Sequence, residues 1–146
     1  GGCALQLYGS DRFTRDVDLI AGDRLRGLES SGELSFGGMR AVADNGVPVD
    51  VIVRDDQYAA LYADALSAAR RIPGVAIPVV TLPYLAAMKL ASGRDKDHQD
   101  LEFILCESGA SWTEIRAVAR EHLGIYAVDE LGEIRTVARW KRRRGK

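Results

Sequence analysis

The stretch DVDLIA, residues 16–21, constrains the chain more than any other. Charge and aliphatic side chains alternate there with a period of two, the signature of a half-buried β-strand. In such a strand Asp16 and Asp18 point to one face, with Cα atoms about 6.5 to 7 Å apart, and Val17 and Leu19 point to the other. Two like charges on one face repel unless a cation sits between them. A divalent metal solves the problem in an open cleft, and Mg²⁺ is the hard ion that takes carboxylate oxygens while leaving sites for water and phosphate.

A third carboxylate follows in VPVDVIV (47–53), where Asp50 is the one charge of an apolar run. A lone carboxylate in such a strand is costly without a partner. Placed beside DVDL, it completes a triad suited to two metals about 3.5 to 4 Å apart, the arrangement of in-line phosphoryl displacement. Asp50 is then the natural base for an incoming hydroxyl. The Gly1-Gly2 pair precedes a short helical segment, CALQLYG (3–9), and backbone N–H groups free of side chains at such a place bind phosphate oxygens. Arg12 and Thr14 lie in the polar loop between that helix and the first strand.

Further along, RLRGLESSG (24–32) reads as a weak helix. MRAVADNG and VPVDVIVR (39–54) read as a hairpin with a type I′ turn at Asn45-Gly46. Residues 57–72 read as an alanine-rich helix and 75–82 as a short strand. Helices are expected over 82–93, with Pro83 at its start and Gly93 after its last turn, and over 96–109. Ser111 with Glu114 forms a capping box for the next helix, and a last helix begins near Ala127 and enters a basic tail. The expected fold is α/β (α+β): a mixed sheet flanked by helices, then a helical C-terminal part. Its expected divisions are a core over 1–82, helices over 83–138 and a flexible tail over 139–146.

The 146 residues are 47% apolar and 28% charged, as in an ordinary globular domain. No apolar run approaches the roughly 20 residues of a membrane helix. Two distant cysteines, Cys3 and Cys106, with no secretory signal pattern, point to a reducing, cytoplasmic setting and away from a disulfide framework or structural zinc. The net charge of −1 conceals an asymmetry: RWKRRRGK (139–146) holds six of the twenty basic residues, leaving fourteen against twenty-one acidic ones, about −7, elsewhere. Such a tail is either a solvated terminus or an attractor of polyanions, and it favours RNA as a partner.

Gly-Gly, a short helix, R-x-T-x-D-V-D-L and an aspartate on a later strand together resemble the nucleotidyltransferase fold of the DNA polymerase beta superfamily. LPYLAAMKLASGRDKDHQDLEFIL (82–105) resembles a segment of the AbiEii-type toxin nucleotidyltransferases and their uncharacterised relatives. The resemblance spans roughly residues 1–106. It implies a Mg²⁺-dependent enzyme, with two ions, that moves a nucleoside monophosphate from an NTP to a hydroxyl on a tRNA, a protein or a small molecule. It further implies a toxin–antitoxin or phage-defence setting with a cognate antitoxin. By it, Asp16, Asp18 and Asp50 hold the metals and carry catalysis. Gly1 and Gly2 cradle the triphosphate, Arg12 and Thr14 reach the nucleotide, Lys89 contacts phosphate, and Arg94 is a further cofactor-binding position, with Asp97 and Asp100 matching others.

The local reading beside it is plainer. Lys89 interrupts an apolar helix face, so its ammonium either snorkels to water or meets an anion. Asp97 and Asp100 share a helix face, Asp97 as a helix-start carboxylate or as a site residue. His98 reads as a solvated helix residue and His122 as a dipole partner. Two rival readings are a non-catalytic nucleotide- or partner-binding domain of the same fold, and a structural pairing of the three aspartates with Arg12, Arg15 and Arg54.

Overall fold

In a computed structural model, which describes residues 1–23 and 25–145, the chain forms a four-stranded mixed sheet and six helices. It divides into two compact units, Gly1–Val79 and Val80–Lys146. The first unit contains α1 (Gly2–Leu7), β1 (Val17–Ile20), β2 (Glu29–Glu33), β3 (Gly38–Val42), β4 (Pro48–Ile52) and α2 (Ala59–Ala68). The second is helical: α3 (Leu82–Ser92), α4 (Asp95–Cys106), α5 (Trp112–Leu123) and α6 (Ile125–Arg144). No helix of the described residues is long and apolar enough to cross a membrane.

The sheet order is β1-β4-β3-β2, with β1 parallel to β4 and the other pairs antiparallel. Alternation decides which face is which. Val17, Leu19, Val49, Val51, Met39 and Ala41 gather on one side, and Met39, Ala41, Val49 and Val51 are buried there. The opposite side therefore receives the intervening residues of β1, β4 and β3, the polar ones included.

The β3–β4 hairpin forms where the sequence places it, but its turn is different. A type I′ turn needs positive φ at both central residues. Among the described residues only glycines adopt positive φ, Gly46 (+81°) among them, so Asn45 does not. The loop Asp44-Asn45-Gly46 instead closes with Gly46 N–H on the Ala43 carbonyl (2.8 Å) and Ala43 N–H on that of Val47 (2.9 Å), the three-residue form with glycine in the left-handed position. At the other end of the hairpin, Gly37 and Gly38 take φ of +106° and +110°. A Cβ on Gly38 would overlap the Val51 carbonyl oxygen.

Three expectations are corrected. The segment 24–32 is not a helix: its described part is a turn followed by β2, and Arg24 lies outside the described residues. β2 is ESSGE, an edge strand with nearly every residue exposed, so it carries no apolar period to read. The segment 75–82 does not make a strand. One antiparallel bridge, Arg70 to Val79, is all that forms, because the chain turns at 72–75 (Val75 N–H on the Ile72 carbonyl, 3.1 Å) on one side and α3 begins at Leu82 on the other. The helix expected over 57–72 is shorter, since Ala69 turns extended (ψ 143°) to feed that bridge.

The helical unit follows its punctuation closely. Pro83 sits in the first turn of α3, and Gly93 ends it at φ +64° with its N–H on the Lys89 carbonyl. The Ser111 hydroxyl accepts the Glu114 N–H at the start of α5 (3.3 Å). The basic residues 139–144, expected in a flexible tail, are the last turns of α6; Lys146 lies outside the described residues.

Replacing Gly38 by alanine forces a side chain into the β3–β4 seam at a φ that alanine avoids. Urea unfolding of Gly38→Ala is expected to show a loss of at least about 2 kcal/mol.

Candidate metal centre

The parallel pairing of β1 with β4 sets Asp18 directly opposite Asp50. Both lie on the face away from the apolar cluster, and Asp16, two residues before Asp18, follows on the same face. Carboxylate oxygens of Asp16, Asp18 and Asp50 all lie within 4.8 Å of one another. Asp16 is exposed, and Asp18 and Asp50 keep 32% and 27% of their side-chain surface, so the group is open to solvent.

The donor set fits Mg²⁺. Opposed oxygens of an octahedral Mg²⁺ are about 4 Å apart, so these carboxylates need only a small closure to share one ion. Two ions about 3.5 to 4 Å apart suit the wider separations.

The start of α1 lies against this group. Gly1 N is 3.6 Å from Asp18 Oδ2, and a Cβ on Gly1 would overlap that oxygen. A Cβ on Gly2 would come within 2.8 Å of Arg12 Nη1 and of Thr14 Cβ. A Cβ at either position would therefore require the Asp18, Arg12 or Thr14 side chain to move. Thr14 Oγ1 donates to Asp16 Oδ1 or to the Asp16 carbonyl (3.2 and 3.3 Å), and Cys3 Sγ lies 3.4 Å from that same carbonyl. Gln6 Nε2 holds the Arg12 carbonyl at 2.9 Å, fixing the loop to α1. Seven sequence-selected residues therefore meet: Gly1, Gly2, Arg12, Thr14, Asp16, Asp18 and Asp50.

One neighbour was not foreseen. Arg40 on β3 pairs in register with Asp50, and its Nε is 4.0 Å from Asp50 Oδ1. Alternation in MRAV turns Arg40 away from the core, but only the β3–β4 register says which acid it meets. Arg54, a proposed structural partner of the triad, goes elsewhere. Its Nη1 bonds Asp56 Oδ2 at 2.7 Å, and its guanidinium stacks on Phe36, Tyr62 and Tyr58 at 4.5, 5.1 and 5.4 Å.

Lys89 and Arg94 belong to the second unit and assemble a cluster of their own. Lys89 is 6% exposed, and its Nζ lies 3.0 Å from Asp97 Oδ1 and 2.7 Å from Asp100 Oδ2. Asp97, fully buried, also receives Arg94 Nε at 2.7 Å and the Arg94 backbone N–H at 3.2 Å, which caps α4. Burial alone would raise the Asp97 pKa. The hydrogen bonds from Arg94 and Lys89 and the Lys89 charge outweigh it and lower the value from 3.8 to about 2. His98 is half-exposed and 3.7 Å from Glu102, and the His122 ring lies 6.1 Å from that of Tyr84.

Compared with known proteins, the chain matches no family model and no curated sequence.

Because the Asp97 pKa is lower folded than unfolded, its stabilisation is complete above about pH 4 and is lost as pH falls toward 2. Stability curves between pH 5 and pH 2 should show a contribution of about 2 kcal/mol from this group, absent in Asp97→Asn. That variant, leaving Lys89 half-neutralised in the interior, should lose about 3 kcal/mol at pH 7.

Proposed function

We propose that this chain is a Mg²⁺-dependent nucleotidyltransferase that moves a nucleoside monophosphate from an NTP to a hydroxyl acceptor. The observation that carries the reading is the convergence of the Asp16, Asp18 and Asp50 oxygens within 4.8 Å, beside a glycine pair where a Cβ would press on the site's own side chains. Mg²⁺ held by these carboxylates would neutralise charge on the attacking and leaving oxygens.

The chain's own groups would do the rest. Asp50 takes the proton of the acceptor hydroxyl as its oxygen bonds to the α-phosphorus. The bond from that phosphorus to the β-phosphate oxygen breaks, and pyrophosphate leaves. The backbone of Gly1 and Gly2 would face the phosphates, and Arg12 and Arg40 would flank them with charge. Transfer to tRNA or to a protein, and a toxin–antitoxin or phage-defence setting in the cytoplasm with a cognate antitoxin, extend this proposal through the sequence resemblance alone.

Incubation with each α-labelled NTP, total tRNA and lysate should label an acceptor and release pyrophosphate in the presence of Mg²⁺. EDTA should abolish the signal, and Asp16→Ala should lower the rate at least about 100-fold, near 2.7 kcal/mol. Nucleotide binding with no pyrophosphate released on any acceptor would overturn transfer in favour of a non-catalytic binding domain. Full activity in Asp50→Asn would remove the proposed base.

A further inference from the structure

The cations at the end of α6 divide into two groups. Lys141 and Arg142 turn toward the body of the helical unit. Lys141 Nζ is 2.8 Å from Glu102 Oε1, and Arg142 Nη1 bonds the Cys106 carbonyl at 2.7 Å, closing the C-terminus of α4. Arg143 and Arg144 turn the other way. Arg139 lies between the two groups, near enough to the Cys106 thiol that its charge lowers a pKa which burial raises. At 100° per residue the three arginines share with Trp140 the arc opposite the buried line Ala127, Leu131, Ile134 and Ala138. All four are exposed, and among the described residues none of the three arginines has an acidic partner within 4 Å.

Helix-dipole compensation favours Arg143 and Arg144, which lie in the last turn, but not Arg139, which precedes it, and it gives no reason for an exposed indole beside them. Arg139 and Arg143 are an i,i+4 pair of like charges, which costs an isolated helix a few tenths of a kcal/mol. The acids of α6, Asp129, Glu130 and Glu133, all lie more than one turn upstream. Arg144 stacks on the Trp140 ring at 4.1 Å, yet the residue remains 54% exposed, leaving the indole open to a second ring.

We infer that the outward face of the last turns of α6 binds a single-stranded polynucleotide. Three arginines present planar, bidentate donors to phosphates, and Trp140 offers a stacking platform for an unpaired base. An acidic protein or a lipid headgroup would satisfy the charges but has no base to place against an arginine-backed indole. A duplex hides its base faces in the same way. The inference stands apart from nucleotidyl transfer, since it uses no residue of the acidic triad.

The test is fluorescence anisotropy of the full chain with labelled single strands of about 20 nucleotides, RNA and DNA in separate arms, in EDTA at about 50 and 200 mM KCl. Binding should weaken at least tenfold in the triple variant Arg139→Gln, Arg143→Gln, Arg144→Gln. Its salt slope should be shallower by about 2, from roughly 0.7 per phosphate contact. Trp140→Ala should weaken binding about fivefold or more with the slope unchanged. The triple Arg→Lys variant should keep the slope, and Arg26→Gln should bind as wild type. Circular dichroism confirms that each variant folds. An unchanged slope in the triple Gln variant would overturn the inference. So would equal affinity for a duplex, or displacement of the strand by phosphatidylserine-containing vesicles.

Discussion

The parallel register of β1 against β4 is the constraint on which the candidate site depends. Pairing Val17 with Val49 and Leu19 with Val51 builds the apolar face of the sheet. The same register puts Asp18 opposite Asp50. A slip of one residue would turn the valines and leucine outward and the aspartates into the core, so the hydrophobic face enforces the acidic one. The repulsion it accepts is not small. Two carboxylates about 5 Å apart oppose each other by about 1 kcal/mol in water and about 3 kcal/mol at an effective dielectric of 20. Arg40, at 4.0 Å and largely exposed, offsets only part of three negative charges. A polar face built this way is stabilised by any divalent cation that enters it.

The second unit treats its carboxylates in the opposite manner. Asp97 and Asp100 meet Lys89 and Arg94, so that two negative and two positive groups close on themselves. Asp97 serves at once as counterion and as helix cap, which ties the N-terminus of α4 to a lysine on α3. Buried pairs of this kind add little net stability over an apolar substitute, yet removing one member is severe. They fix how two helices meet. One chain thus holds a neutral, enclosed cluster with no charge to spare and an open, acidic one with charge in excess. Only the second has the electrostatic imbalance that a bound cation would relieve.

Most of this was legible where a residue's role is local. The alternation in DVDL, the isolation of Asp50 in VPVDVIV, Pro83 and Gly93 around α3, and Ser111 before α5 act through neighbours a few positions away. The structure follows them. The strand ESSGE was illegible because an edge exposed on both faces has no period to detect. Arg40 was missed because its partner depends on the pairing of two strands, which no single stretch encodes. The apolar face around Lys89 marks a cation that must meet an anion or water, and Asp97 and Asp100 are what its Nζ meets. The anion is carried by the next helix, and geometry rather than spacing identifies it.

The glycines show how one residue type serves two ends. Gly37 and Gly38 are required by positive φ and by carbonyls that leave no room for a Cβ, so their purpose ends with the hairpin. At Gly1 and Gly2 the obstruction comes instead from Asp18, Arg12 and Thr14, side chains of the site itself. The absence of a Cβ there lets the backbone come close, with Gly1 N 3.6 Å from Asp18 Oδ2. Two uses of glycine thus differ in what crowds them: backbone carbonyls at the hairpin, and the side chains of the acidic centre at the start of α1.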